Sequence, residues 1–452
     1  MDFFRVKQKD AGKNRIEIYP DFSVGKSKDL MIRGKSFYAI WDEEKGLWST
    51  DEYDVQRLVD KELQKYYDEH RDSLNCAVHV RWMSSYSSSS WKEFKKYVQA
   101  LSDNYKQLDT KIIFSNTEVT RSDFASMKLP YPLKKCSIKS YNELMDTLYS
   151  EDERRKIEWA IGSIIAGDSK NIQKFLVFYG EPGTGKSTVL NIIQDLFTGY
   201  YTTFEAKSLT QSSNMFATEA FKSNPLIAIQ HDGDLSKIED NSKLNSIISH
   251  EEIMINEKYK SAYPMRVNCM LFMGTNKPVK ITDAKAGIIR RLIDVRPTGN
   301  KVEPSRYLEL KEQIQYELSG IAYHCLNLYN EMGKNYYNKY KPVDMMYKTD
   351  PFFNFVESYQ EEFTRDGGVT LKSAYSMYKQ YCDDSSYNFK MPMYVFREEL
   401  KNYFKEYKDY IRLNDGTQLR SYYYGFRFDK MKRIEDFKLI KIKNWLRINY
   451  AR

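Results

Sequence analysis

The chain runs to 452 residues, 41% of them apolar, and its 70 Lys and Arg against 62 Asp and Glu leave a formal charge of +8. That length implies about three domains with conventional cores, and that charge permits a polyanionic partner without requiring one. The opening Met-Asp-Phe-Phe-Arg-Val-Lys lacks a signal-peptide core and no apolar run approaches ~18 residues, so neither secretion nor a membrane span is indicated and the cytoplasm is the expected location.

Residues 1 to 137 read as a mixed α+β accessory domain. Phe37–Trp41 and Gly46–Trp48 flank the acidic turn Asp42-Glu43-Glu44-Lys45, which predicts a hairpin, with helices to follow at about 52 to 69 and 91 to 107. The serine run Ser84–Ser90, interrupted by Tyr86, reads as a loop or linker, and Leu129-Pro130-Tyr131-Pro132 as another break. No acidic pair with a nearby histidine suggests a primase or polymerase centre. Cys76, Cys136, Cys269, Cys325 and Cys382 are scattered without a CxxC pair, which argues against a zinc module and a disulfide framework.

From 138 to 335 the pattern becomes α/β. Ile157, Ala160, Ile161, Ile164 and Ile165 share one helical face, and Gly167 supplies a stop. The apolar run Phe175–Tyr179 then leads into Gly180-Glu181-Pro182-Gly183-Thr184-Gly185-Lys186-Ser187, a complete GxxxxGK[ST] phosphate loop, with Thr188 following. Val189, Ile192, Ile193 and Leu196 recur at helical spacing, so strand, loop and helix are all in place. Glycines let successive N–H groups turn toward phosphates, Lys186 adds a cation near the β- and γ-phosphates, and the Ser187 hydroxyl can ligate Mg²⁺. ATP and Mg²⁺ are therefore the expected ligands.

Further features of a phosphate-hydrolysing core follow in order. Leu226–Ile229 reads as an interior strand of a parallel sheet and ends in Gln230-His231-Asp232-Gly233-Asp234. Asp232 is assigned to the metal and Asp234 to the acid that orients or deprotonates the attacking water, although Asp234 could instead cap a following helix. The usual second acid sits directly beside the first, where Gly233 stands here. Met270–Met273 runs into Gly274-Thr275-Asn276-Lys277-Pro278, where the Asn276 amide can bond the γ-phosphate and the lytic water without adding charge. Arg290 and Arg291 then offer a guanidinium that could reach a γ-phosphate held by a neighbouring subunit; a surface salt bridge is the plain alternative.

With Ile253-Met254-Ile255-Asn256-Glu257-Lys258-Tyr259-Lys260, these motifs make residues 138 to 300 resemble a superfamily 3 helicase of the AAA+ class, of the primase-helicase type found in phages, plasmids and poxviruses. The resemblance implies a P-loop ATPase core with a parallel sheet, a β-hairpin projecting into the pore of a hexameric ring, and 3′ to 5′ movement on DNA. On that resemblance Lys258, Tyr259 and Lys260 match the basic DNA-gripping tip, Ala262, Tyr263 and Pro264 form or flank the turn, and Met265-Arg266-Val267 returns. Two positions depart from the family pattern: Asn256 stands where a basic residue is frequent, and a lysine is common near Asn245.

The stretch Lys334–Lys341 reads as a linker, and 345 to 452 as a winged-helix-like module with a basic tail. Its helices are expected at Leu371–Tyr381 and Tyr394–Phe404, and its hairpin at Tyr410–Arg412 and Tyr422–Phe426 around Asn414-Asp415-Gly416. Arg397, Lys401, Arg412 and Arg420 could contact phosphates, and such a module can equally serve as a partner or oligomer contact. The tail Lys432–Arg452 reads as a surface helix packed on the module, with a basic amphipathic helix that touches DNA or a partner as the alternative. The reading is an ATP-dependent, ring-forming DNA helicase acting on single-stranded and forked DNA in phage, viral or mobile-element replication, with a primase or polymerase as a possible partner. A replication initiator that melts origin DNA, and a nucleotide-switched scaffold or defence ATPase, are the rival readings.

Overall fold

The computed structural model describes residues 1–428 apart from 13, 24, 26, 75, 86, 236, 237, 239, 259–261, 280–286, 344, 346–350, 366, 385–389 and 413–417. Its centre is a sheet of five strands: β1 (Phe175–Tyr179), β2 (Tyr201–Thr203), β3 (Ile227–Gln230), β4 (Met270–Thr275) and β5 (Leu292–Val295). The spatial order is β5-β1-β4-β3-β2, and every neighbouring pair is parallel. β4 is thus inserted between β1 and β3, with Phe272 opposite both Leu176 and Ile229.

The sheet is buried on both faces, which explains why its strands read as continuous apolar runs. Alternate residues serve different cores. Leu176, Phe178, Ile229, Phe272 and Ile293 pack in one cluster with the helices Lys139–Leu148, Glu151–Ile165, Lys186–Leu196 and Pro304–Met332. Phe175, Val177, Ala228, Leu271 and Leu292 belong to a second cluster that runs through the helix Ser242–Ile248 into the C-terminal module. The helix Glu151–Ile165 buries Ile157, Ala160, Ile161 and Ile164, and Gly167 leaves it at φ +73°, as its pattern predicted.

The N-terminal region carries two small sheets. Arg5–Asp10, Arg15–Asp21 and Ala77–Val80 form one; Leu30–Arg33, Ser36–Asp42 and Leu47–Ser49 form the other. The predicted hairpin is present, with Trp41 paired to Trp48 and their rings 5.8 Å apart. Asp42 builds its turn by accepting the backbone N–H groups of Glu44 and Lys45, and its buried carboxylate is paired with Arg57. The first helix runs Tyr53–His70, but the second spans only Ser89–Ala100. It stops short of 107 because Asn104 leaves the helix to bond Ile32 N and Leu30 O, each at 2.7 Å, along the edge of the second sheet.

Three expectations about connections are corrected. The serine run is a loop only as far as Ser88, which caps the second helix by accepting from Trp91 N at 3.2 Å, and Ser90 is fully buried within that helix. Ile112, Phe114, Leu129 and Tyr131, which lie before the sequence boundary at 137, belong to the core of the central sheet. Lys334–Lys341 also packs rather than links, because Tyr337 and Tyr340 are buried and the Tyr340 hydroxyl meets Lys156 Nζ at 3.0 Å.

In the C-terminal module, helices Pro351–Ser358, Leu371–Asp384 and Met393–Lys401 pack against a sheet of Gly368–Thr370, Gln418–Phe426 and Phe404–Arg412. The helix, helix, hairpin order is as expected, although the last helix ends at Lys401 and Phe404 opens the strand instead. The turn Asn414-Asp415-Gly416 and the tail Lys432–Arg452 lie outside the described residues. No helix among the described residues is long and apolar enough to cross a membrane.

Candidate functional site

β1, β3 and β4 end side by side, so the segments that follow them meet at one edge of the sheet, where open parallel sheets bind ligands. A cavity of about 480 Å³ lies there, bounded by Gly183, Gly185, Lys186, Ser187, Asp232 and Asn276 among others. That is a volume in the ordinary range for a nucleotide-sized ligand. Gly183 (φ +75°) and Gly185 (φ +89°) take left-handed backbone conformations that let the loop fold back over the start of the helix Lys186–Leu196. A Cβ on Gly185 would also meet Leu148 Cδ1 at 2.7 Å. Thr184 braces the loop by donating to Glu181 O at 2.8 Å.

Lys186 is buried, and its ammonium donates to Gly180 O (2.6 Å), Glu181 O (2.8 Å) and Asn276 Oδ1 (2.7 Å). Burial pushes its pKa down, while the carboxylates of Asp232 and Glu181 act in the opposite direction. Because an ammonium only donates, the Asn276 oxygen must face the lysine, which leaves the Asn276 amide nitrogen as a donor. Ser187 and Asp232 are exposed on the cavity wall. His231 lines the same cavity with Nε2 2.9 Å from Gln194 Oε1, and burial lowers its pKa, so it is neutral at pH 7.

The interruption at Gly233 has a steric cause. Gly233 N donates to Gly274 O at 2.7 Å, and a Cβ on Gly233 would sit 2.4 Å from Met273 Sδ. A Cβ on Gly274 would sit 2.4 Å from His231 O. The segments that end β3 and β4 therefore meet glycine to glycine, and a side chain directly after Asp232 would have to displace Met273. Asp234 is not among the residues bounding the cavity; its Oδ2 pairs with Lys277 Nζ at 2.6 Å. Nor does it cap the next described helix, whose first residue, Ser242, donates its N–H to Asp240.

The two arginines separate clearly. Arg291 is buried and donates to Ser249 Oγ (Nε 3.0 Å, Nη2 2.6 Å) and Gly287 O (2.8 Å). Arg290 is exposed, and its carbonyl accepts from the buried Lys174 ammonium. Burial, with Arg290 and Arg291 nearby, pushes the Lys174 pKa down to about 8.

Between β3 and β4, Glu252–Ile255 and Tyr263–Arg266 form an antiparallel hairpin, with Ile255 opposite Tyr263. Lys258 is exposed in its loop; Tyr259 and Lys260 lie outside the described residues. Asn256, the departure from the family pattern, donates to Met215 O at 2.8 Å and so ties the loop to the segment before Thr218. Arg266 Nε donates to His250 O at 2.8 Å, so the returning strand is fastened to the Ser249–His250 turn that also receives Arg291.

Sequence reasoning missed the far wall of the cavity: Leu148, Asn300, Lys301, Val302 and Tyr307. Thr298 N donates to Leu148 O at 2.8 Å, and the Tyr307 and Thr188 hydroxyls are 3.1 Å apart. The available signal was the polar turn Gly299-Asn300-Lys301 just beyond the C-terminal end of β5, the edge at which such sheets bind ligands.

A family model described as a family of unknown function (DUF5906) matches residues 178–291, a span that holds the glycine-rich loop Gly180–Ser187, Asp232, the hairpin, Asn276 and both arginines. Among solved structures, the apo C-terminal region of NrS-1 (305–718) is 16% identical, with 71% of this chain and 84% of that chain covered and a TM-score of 0.43. The A form of that apo region gives 16% identity over the same shares and a TM-score of 0.45.

Proposed function

We propose that this chain is an ATP-dependent DNA helicase with an AAA+ core of the superfamily 3 type, working as a hexameric ring in the replication of a phage, virus or mobile element. The observation that carries the reading is the convergence of Lys186, Ser187, Asp232 and Asn276, from the ends of three adjacent parallel strands, on one cavity. The hairpin inserted between the acid-ended and amide-ended strands supports the DNA-tracking part.

In this reading Lys186 turns its ammonium from Gly180 O and Glu181 O to the phosphate oxygens of ATP. Mg²⁺, held by Ser187, Asp232 and phosphate oxygens, would neutralise charge on the β- and γ-phosphates. The Asn276 amide nitrogen donates to the γ-phosphate or the attacking water, since its oxygen is fixed on Lys186. Asp232 is the acid at the site, and Asp234 braces the β4 end through Lys277. Arg290 is the arginine that meets ATP on the next subunit, because Arg291 is spent inside its own chain. The hydrogen bonds from Arg291 to Ser249 and from Arg266 to His250 connect that subunit boundary to the hairpin. Movement of DNA, 3′ to 5′ by the resemblance, then follows hydrolysis around the ring.

The test is hydrolysis by Lys258→Ala with single-stranded DNA added or withheld. Turnover without DNA should match wild type, and stimulation by DNA should fall several-fold; full stimulation would remove the hairpin from the mechanism.

A further inference from the structure

The N-terminal region touches the hairpin at one conspicuous point. Arg33 closes the strand Leu30–Arg33 at the tight turn to Ser36, where Gly34 stands at φ +62° and donates its N–H to Asp103 Oδ2 at 3.2 Å. The Arg33 guanidinium lies over the ring of Tyr105 at 4.8 Å and over the ring of Tyr263, the first residue of the hairpin's returning strand, at 4.4 Å. Among the described residues the Arg33 guanidinium makes no hydrogen bond or ion pair, whereas those of Arg57, Arg81, Arg154 and Arg306 are each engaged by carboxylates.

We propose that Arg33, with Lys35 in the same turn and Lys258 on the hairpin, forms a grip for the phosphodiester backbone of single-stranded nucleic acid, so that the N-terminal region supplies part of the strand path. The inference rests on the hairpin reading above and extends it to a second region of the chain. Contact with the rings uses the guanidinium face, holds it in one orientation and leaves the planar fork of N–H donors at its edge, the geometry that takes a phosphate through two bonds. Lys35 is exposed in the same turn, and Lys258 follows Glu257, whose Oε1 accepts the Tyr263 hydroxyl at 3.1 Å. Two carboxylates lie near and both are already engaged: Glu257 by Tyr263 and by Lys222 at 3.8 Å, and Asp103 by the N–H groups of Gly34 and Tyr105. Tyrosine rings beside a guanidinium also suit unstacked bases of any sequence.

The experiment is the affinity of the full chain for a fluorescent oligo-dT, measured across a salt series for wild type, Arg33→Ala and Arg33→Lys, with thermal midpoints as the control on folding. Arg33→Ala should bind several-fold more weakly and lower the slope of log affinity against log salt by about 0.7, the value for one lost phosphate contact on a single strand. Arg33→Lys should restore the slope but only part of the affinity, because it keeps the charge and loses the fork. An unchanged slope in Arg33→Ala, with or without weaker binding, would make the contact purely structural and overturn the grip. Wild-type protein that binds no oligo-dT would overturn the hairpin reading together with it.

Discussion

The edge of the central sheet and the hairpin that leaves it are built on opposite principles. At the sheet edge Lys186 is buried, Gly233 just beyond β3 bonds Gly274 of β4 backbone to backbone, and the polar groups are held by short hydrogen bonds. On the hairpin Lys258 stands exposed and Met254 is half open to solvent, and the fixed points lie beside them, with Arg266 held at the base and Tyr263 and Asn256 at the loop end. A site that stabilises developing charge needs preorganised groups, whereas a site that tracks a flexible polyanion needs reachable cations. Substitution should therefore damage folding at the first and leave folding intact at the second.

The largest expected stability effect is at the glycine contact. Gly274→Ala would drive a Cβ to within 2.4 Å of the His231 carbonyl, a backbone atom with little room to move. A loss of roughly 3 kcal/mol is expected, or about 6–12 °C in the unfolding midpoint of a domain this size. A midpoint within about 2 °C of wild type would mean that the two strand ends can part freely.

Next come the arginines, which sharpen the comparison within a single pair. Arg291→Ala strips donors from Ser249 and Gly287 and should cost about 2 kcal/mol of stability. Arg290→Ala should leave the midpoint unchanged, lose turnover, and recover part of it when mixed with Lys186→Ala subunits, since each mutant then supplies what the other lacks across the interface. The reverse pattern, with Arg291→Ala stable and rescued by mixing, would exchange their roles.

The narrowest effect, confined to a window of pH, is at Lys174. Its folded pKa of about 8 lies below its ordinary value of 10.5, so between those values the unfolded chain binds more protons and stability rises with pH. Wild type should gain about 2 kcal/mol on Lys174→Met between pH 8 and 10, read as converging thermal midpoints. Parallel curves would show that Lys174 is not buried as a strained cation.

Legibility in the sequence followed the range of the interactions. The glycine-rich loop, the β1, β3 and β4 strands and the meeting of their ends could be read because each is a local run with a fixed backbone task; the hairpin is present too, although its returning strand opens at Tyr263 rather than Met265. The second acid could not be placed, since the clash at Gly233 involves Met273, forty residues away along the chain and adjacent only through β3–β4 pairing. The Lys301 and Tyr307 wall was hidden for the same reason: Thr298 meets Leu148 across the fold. The serine run was legible in part: composition marks a loop, which holds as far as Ser88, while the hydrogen bonds through which Ser88 and Ser90 fix the helix start are not encoded by composition.

The most direct test of the account is ATP hydrolysis and forked-duplex unwinding measured on one purified sample, with single-stranded DNA added or withheld and Lys186→Ala as the control. The account predicts turnover that DNA stimulates, strand separation that requires ATP, and a loss of at least about 100-fold in both for Lys186→Ala. Turnover that ignores DNA, without strand separation, would contradict it.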